Sequence, residues 1–460
     1  MKRHNMVGLV LIMVLPVTAQ IKHGLRDEWG RHVIARGFVV NTNDGPHDIM
    51  FDAQDYGRMV RLGANYQVIR LQYGKLCFSP GKGPDPDYLL KLDTLVTQAK
   101  HAGIQSVFKM TGIQGPWQKF WRNENNEQQI FMDAWKVIWE RYKHEAFVTG
   151  YDLVNEPRKQ SMDISYDELT DHYLIPLYQK LIDEHDKIND TTMCFCQGIF
   201  QNKGDKVNEN QYTEFKTSIG RKNVVFSPHI YQEKIEWIKP ALDRYEKESK
   251  LLEAPIFVGE WGFPTFFNST DVAMTGKLGQ LAYKEFYIHT AEAFDRMGVG
   301  TIKAWFLGSR TRQDFLPGGP STWAIFSDEK SVGTVERKYI TDIIARPYPQ
   351  AIAGDIQSFF FDHATRSLDI KLKTDNSKGA SRIFVGANRH YPDGFSVHCG
   401  EGFILVHDPL RAHGLEVIRF DDNSNPSDFI WDPSRQQLVI LKWPQDAVEM
   451  KLLITPGLRD

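Results

Sequence analysis

The chain has 460 residues, 42% of them hydrophobic and 25% charged, and a formal net charge of −3. That length exceeds the needs of one small core and calls for a large barrel with an accessory unit, or about two or three domains. With no basic patch and no acidic tail, nucleic acid is excluded as a main partner. Aromatic residues reach 12%, including 11 tryptophans, which suits a cleft that holds sugars against flat rings but also suits a large core.

The N-terminus reads MKRHNMVGLVLIMVLPVTAQ. Lys2 and Arg3 precede an apolar stretch too short to span a bilayer, and Val17-Thr18-Ala19 offers a small-residue cleavage site. A signal peptide over residues 1–19 is expected, with export to the exterior or to the lumen of the secretory and endolysosomal pathway. No later stretch is long and apolar enough to cross a membrane. Export would permit disulfides, and the four cysteines, Cys77, Cys194, Cys196 and Cys399, allow three complete connectivities. Buried free thiols are the equal alternative. Asn189 and Asn268 open sequons.

From residue 20 onward, short β-rich runs alternate with amphipathic stretches. The strand candidates are HVIARGFVV, YQVIRLQ, QSVFKMT, TGYDLVNE, TMCFCQG, VVFSPHIY, PIFVGEWG and GTIKAWFLG. Between them Leu89, Leu92, Leu95, Val96 and Ala99 recur at helical spacing, as do Phe131, Trp135, Ile138 and Trp139. Eight strands separated by helices predict an α/β fold, a (β/α)8 TIM barrel over residues 20–347. A doubly wound open sheet competes, but no glycine-rich phosphate loop follows the first strand. After RPYPQAIAG only short strand-like runs with close-set turns remain, which predicts an all-β sandwich over residues 348–460.

Barrels of this kind carry their chemistry at the C-terminal ends of the strands. Arg70 lies on the second predicted strand, Asn155 and Glu156 end the fourth, His229 and Tyr231 the sixth, Glu260 the seventh, and Trp305 lies on the eighth. Two carboxyl groups converging across a barrel mouth suit glycoside hydrolysis, in which one protonates the leaving oxygen and the other attacks the anomeric carbon. Glu156 would need apolar surroundings or a nearby negative charge to stay protonated. Glu260 would need donors and a cation, which Tyr231 and Arg70 can supply. Asn155 would bind the sugar 2-hydroxyl, and Trp305 would floor the ring. Each residue alone has an ordinary structural role, and the combination carries the reading.

YDLVNEP, SPHIY and FVGEWG, with Arg70 and Trp305, resemble the clan A retaining glycoside hydrolases of family five. The resemblance implies that Glu156 is the acid/base and Glu260 the nucleophile, with no metal and no cofactor. RPYPQAIAGDIQSFFFDHATRSLDIKL and RIFVGANRHYPDGFSV resemble the endoglycoceramidase branch. That resemblance implies cleavage between a glycan and ceramide, or in a related glycolipid. One departure stands out: VFKMTGIQG has Lys109 and Thr111 where the family has aspartate and histidine. The loops GPWQKFW and GFPTFF place Trp117, Phe120, Trp121, Phe263 and Phe266 where an apolar aglycone rim and a transient membrane-surface contact are expected. Packing of those loops against each other is the plain alternative. A polysaccharide endo-β-glucanase or mannanase of the same family is the nearest rival function, and a non-catalytic glycan- or lipid-binding barrel is the rival of another class.

Overall fold

The computed structural model describes residues 24–42, 51–77, 83–113, 115–201, 211–232, 234–262, 277–304, 306, 325, 336–400, 403–410, 414–420 and 425–457. The predicted leader, Asn268, Trp305, Phe263 and Phe266 lie outside them.

Eight parallel strands form the barrel: Arg36–Val40, Tyr66–Gln72, Gln105–Thr111, Val148–Asp152, Met193–Cys196, a sixth in two pieces, then Phe257–Trp261 and Gly300–Lys303. Neighbours pair in chain order, and the eighth pairs with the first. The two pieces of the sixth strand, Val224–Phe226 and His229–Ile230, close the ring, one on the fifth strand and the other on the seventh. Ser227 and Pro228 separate them. Proline has no N–H to give a ladder, so the strand breaks there while the Pro228 carbonyl still accepts from Gly259 N at 3.1 Å.

Alternation sorts the strand residues. Val39, Val68, Val107, Phe195, Val225, Phe257 and Ile302 fill the barrel interior. Their neighbours in sequence, such as Ile69, Phe108 and Tyr151, join the outer core under the helices. Helix Pro86–Ala102 shows how the outer layer is specified. The Asp85 side chain caps it by accepting from the Asp87 and Tyr88 amides, Pro86 opens its first turn, and Gly103 at φ 70° ends it. Its buried face contains Leu92, Leu95, Val96 and Ala99, as their spacing predicts, and helix Glu127–Tyr142 likewise buries Phe131, Trp135, Ile138 and Trp139. Among the described residues no helix is long and apolar enough to cross a membrane.

The sandwich consists of two six-stranded sheets over a core that includes Ile356, Phe361, Ile370, Phe384, Val397 and Leu452. One sheet differs from the sequence expectation. The run HVIARGFVV is split: Arg36–Val40 enters the barrel, whereas His32–Val33 pairs antiparallel with Tyr348–Ile352. Leu25–Arg26 then extends that sandwich sheet. Residues 25–33 therefore join the sandwich sheet through their backbone while Leu25 and Val33 pack against the barrel interior, and the barrel's own strands begin at Arg36. Phe429–Asp432 is a further sandwich strand that the sequence reading did not anticipate. All four cysteines are free and buried, which decides between the two expectations for them.

A charged bolt joins the two parts. Arg346, from the RPYP segment, donates to both Asp295 carboxylate oxygens, at 2.9 and 2.6 Å, and to the Ala291 carbonyl. Arg36 on the first strand reaches the same Asp295 at 2.6 Å and the Arg346 carbonyl at 3.0 Å. Its guanidinium lies 3.8 Å from the centroid of the Tyr348 ring.

Candidate active site

Two residues beyond Val68, Val107, Gly150, Phe195 and Val225, on the same face, stand Arg70, Lys109, Asp152, Gln197 and Ser227. The barrel interior thus changes from an apolar plug to a polar layer at the C-terminal ends of its strands. Strand seven reaches this layer irregularly. Val258 and Trp261, three residues apart, both face the outer core, and the register against strand eight shifts between them. The extra residue of this bulge turns both Gly259 and Glu260 toward the mouth.

Glu156 follows the end of strand four. Its φ of 46° is left-handed, a conformation that side chains with a Cβ adopt at some cost. Bonds on either side hold it there. The Glu156 amide donates to Gln197 Oε1 at 3.1 Å, and Phe200 N donates to the Pro157 carbonyl at 2.7 Å. The Asn155 amide donates to the Met110 carbonyl at 3.2 Å, while its buried side-chain Oδ1 has no partner among the described residues. A buried acceptor left open beside a carboxylate suits a ligand hydroxyl.

The two glutamates meet across the mouth. One carboxylate oxygen each of Glu156 and Glu260 and a ring nitrogen of His229 all lie within 4.8 Å of one another. Glu260 Oε2 accepts from Tyr231 Oη at 2.7 Å, and its Oε1 accepts from Lys109 Nζ at 3.0 Å. Glu156 Oε1 is 3.1 Å from His229 Nδ1, and its Oε2 accepts from Arg158 Nη2 at 3.2 Å. A metal ion could also bridge such a trio, but here Lys109 hydrogen-bonds to two of its three members, His229 and Glu260. The set is therefore arranged to handle protons.

Burial alone would raise the Glu260 carboxyl. The Lys109 ammonium, then His229, Arg70 and the Tyr231 hydroxyl, outweigh it and hold the group well below the usual carboxylate range. Glu260 is a carboxylate. The sequence expectation for Glu156 is apolar surroundings or a nearby negative charge; both influences are present, but they do not prevail. Burial and the Glu260 charge push it up, but the His229 hydrogen bond and Arg158 bring it down overall. Both of its oxygens accept hydrogen bonds, so this is its ionised, general-base form.

Of the residues singled out in the sequence, Arg70, Asn155, Glu156, His229, Tyr231 and Glu260 converge here. Trp117, Phe120 and Trp121 do not form a rim. All three are buried, at 8%, 0% and 2% exposure, because the short helix Trp117–Trp121 turns them inward onto one another and onto Phe131. Sequence reasoning missed Asp152, Gln197 and Ser227, and saw in Lys109 only a departure. Parity was the available signal: a lysine and an aspartate at inward positions of buried strands must find partners.

The sequence matches Cellulase (glycosyl hydrolase family 5) over residues 38–285 and the glycoside hydrolase family 5 C-terminal domain over residues 346–449. An endoglucanase from Paenibacillus polymyxa is 26% identical over 233 residues, 43% of this chain and 58% of that protein. The match thus spans little more than half the length of that relative. Among solved structures, the lactosyl-enzyme intermediate of endo-glycoceramidase II from Rhodococcus sp. aligns over 95% of this chain and 100% of that one, with a TM-score of 0.70 and 16% identity. An endogalactoceramidase aligns over 94% and 98%, with a TM-score of 0.66 and 16% identity. At these identities the likeness is one of fold, and it takes in barrel and sandwich together.

Proposed function

Since this chain belongs to glycosyl hydrolase family 5, we propose that it is a retaining β-glycosidase acting on the bond between a glycan and ceramide, or on a related glycolipid. The carrying observation is the carboxylate pair, with oxygens of Glu156 and Glu260 within 4.8 Å of each other. Inverting enzymes separate the two groups by about 6.5–9.5 Å to admit a water, and retaining ones by about 5–5.5 Å. The short spacing leaves Glu260 itself to attack the anomeric carbon.

In the first half-reaction Glu156 must carry a proton. A sugar seated between the acids excludes water from Glu156, which strengthens the two influences that favour its neutral form, burial and the Glu260 charge. Glu156 gives that proton to the glycosidic oxygen as Glu260 forms the glycosyl ester. The ester removes the Glu260 charge, and Glu156, again ionised and bonded by His229 and Arg158, takes a proton from the attacking water. The open Asn155 Oδ1 is positioned for the sugar 2-hydroxyl. Azide tests both roles. Glu156→Ala should recover turnover of an activated aryl β-glycoside with azide and release the β-glycosyl azide, whereas Glu260→Ala should release the α-anomer. A single-step inverted product from the native protein would overturn the reading.

The glycolipid half is supported by the fold shared with endoglycoceramidases through both domains. The sequence relative from Paenibacillus polymyxa supports a second reading, cleavage of a β-glucan chain. Ceramide released from a glycosylceramide, measured beside products from cello-oligosaccharides, separates the two.

A further inference from the structure

Lys109 is the least expected member of the site. It sits at an inward position of strand three with its side chain fully buried. An ammonium has three protons and no lone pair, so every partner of Nζ must accept. Those partners are His229 Nε2 at 2.9 Å, Glu260 Oε1 at 3.0 Å and the Gly259 carbonyl at 3.4 Å, with Asp152 Oδ2 at 3.6 Å. His229 therefore accepts at Nε2, and its proton lies on Nδ1, the nitrogen that faces Glu156 Oε1. A continuous chain runs Glu260–Lys109–His229–Glu156.

We infer that Lys109 is the positioning residue of this site: it clamps the nucleophile and fixes the His229 tautomer that serves the acid/base, so one ammonium sets the working state of both carboxyl groups. The inference rests on the glycosidase reading above and deepens it. Asp152 completes the device. Gln197 Nε2 donates to both Asp152 oxygens at 3.0 and 3.1 Å, and Ser227 Oγ stands 3.4 Å away. When Glu260 becomes an ester and loses its charge, Asp152 is the carboxyl group left beside Lys109, raised by burial and lowered by the ammonium. Other ionisable groups face the same space: Arg70 from strand two, Arg158 after strand four, Tyr231 on strand six, Lys303 on strand eight and the Tyr212 phenol. Lys109 hydrogen-bonds to both Glu260 and His229.

Removing the ammonium leaves Glu260 without its nearest cation and exposes Glu156 to an uncompensated negative charge. Both carboxyl groups should then titrate higher, so both limbs of the kcat/KM profile should move the same way. In the full-length protein, Lys109→Met should shift the two limbs of aryl β-glycoside hydrolysis upward by about one to three pH units. Lys109→Arg, which keeps the charge, should leave them near their native positions. A lower rate with unmoved limbs would reduce Lys109 to a space-filler and overturn the inference. Nitrogen NMR of His229 in the native protein needs no variant. An Nδ1–H ring is expected, and an Nε2–H ring would overturn the inference even if Lys109→Met failed to fold. Labelling of native Glu260 by a 2-deoxy-2-fluoro glycoside reports separately on the glycosidase reading. Absence of label would sink that reading whatever the tautomer.

Discussion

Tyr231 shows how much one hydroxyl is asked to do. Its 2.7 Å bond to Glu260 Oε2 is one of the influences that keep Glu260 ionised. Hydrogen bonds to charged groups contribute about 1.5–3 kcal/mol. Tyr231→Phe should therefore lower the rate of glycosyl-ester formation by about tenfold to a hundredfold and move only the acidic limb upward, as pre-steady-state labelling across pH would show. The sign follows from the group: a carboxyl that loses a donor to its ionised form becomes a weaker acid. At this scale the sequence was legible where a polar side chain ended an apolar run, as Glu156, His229, Tyr231 and Glu260 do. It was illegible where a side chain's partner came from a distant strand. Lys109 and Glu260 are 151 residues apart, and nothing local in QSVFKMT announces their contact.

At the scale of elements, the irregularities place the chemistry. The break at Ser227-Pro228 and the bulge at Gly259-Glu260 sit side by side, and Gly259 is the point where they touch. A Cβ on Gly259 would stand 2.5 Å from Ser227 Oγ and 3.4 Å from His229 Nε2. Gly259→Ala should cost about 1–3 kcal/mol of stability through overpacking, read by thermal unfolding, and should reduce turnover because it presses on His229, a partner of Lys109, and on Ser227, a neighbour of Asp152. If neither changed, the close packing argued here would be wrong. Period-two alternation predicted the strands themselves, but a bulge is an exception to that period, and a sequence window cannot show one. The supposed aromatic rim failed for a related reason: Trp117, Phe120 and Trp121 lie on one helical turn, whose rotation the sequence does not fix.

At the scale of the whole molecule, Asp295 holds two guanidinium groups, one from each side of the junction. Removing one partner of a buried ion pair costs about 3–5 kcal/mol because the others stay buried and uncompensated. Asp295→Ala should lower the unfolding midpoint by several degrees or split one thermal transition into two, which calorimetry resolves. Acid should weaken the same region. Burial lowers the His32 and His390 rings to about 3 each. An imidazole whose pKa is lower folded than unfolded stabilises the fold fully above about 6.5, and that contribution is lost as pH falls toward 3. The slope is about 1.4 kcal/mol per pH unit for each ring that must charge. Urea midpoints that stayed flat between pH 6 and pH 4 would contradict this.

Because strands from residues 25–33 complete a sheet whose other members begin at Tyr348, the earliest described stretch of the polypeptide can pair with itself at once but must wait for Tyr348–Ile352 before it joins its sheet. A ribosome would have to expose the whole barrel before that stitch could close. A gene cut after residue 347 would strip His32–Val33 of its strand partner and leave that edge open, and its product should precipitate instead of yielding a lone barrel.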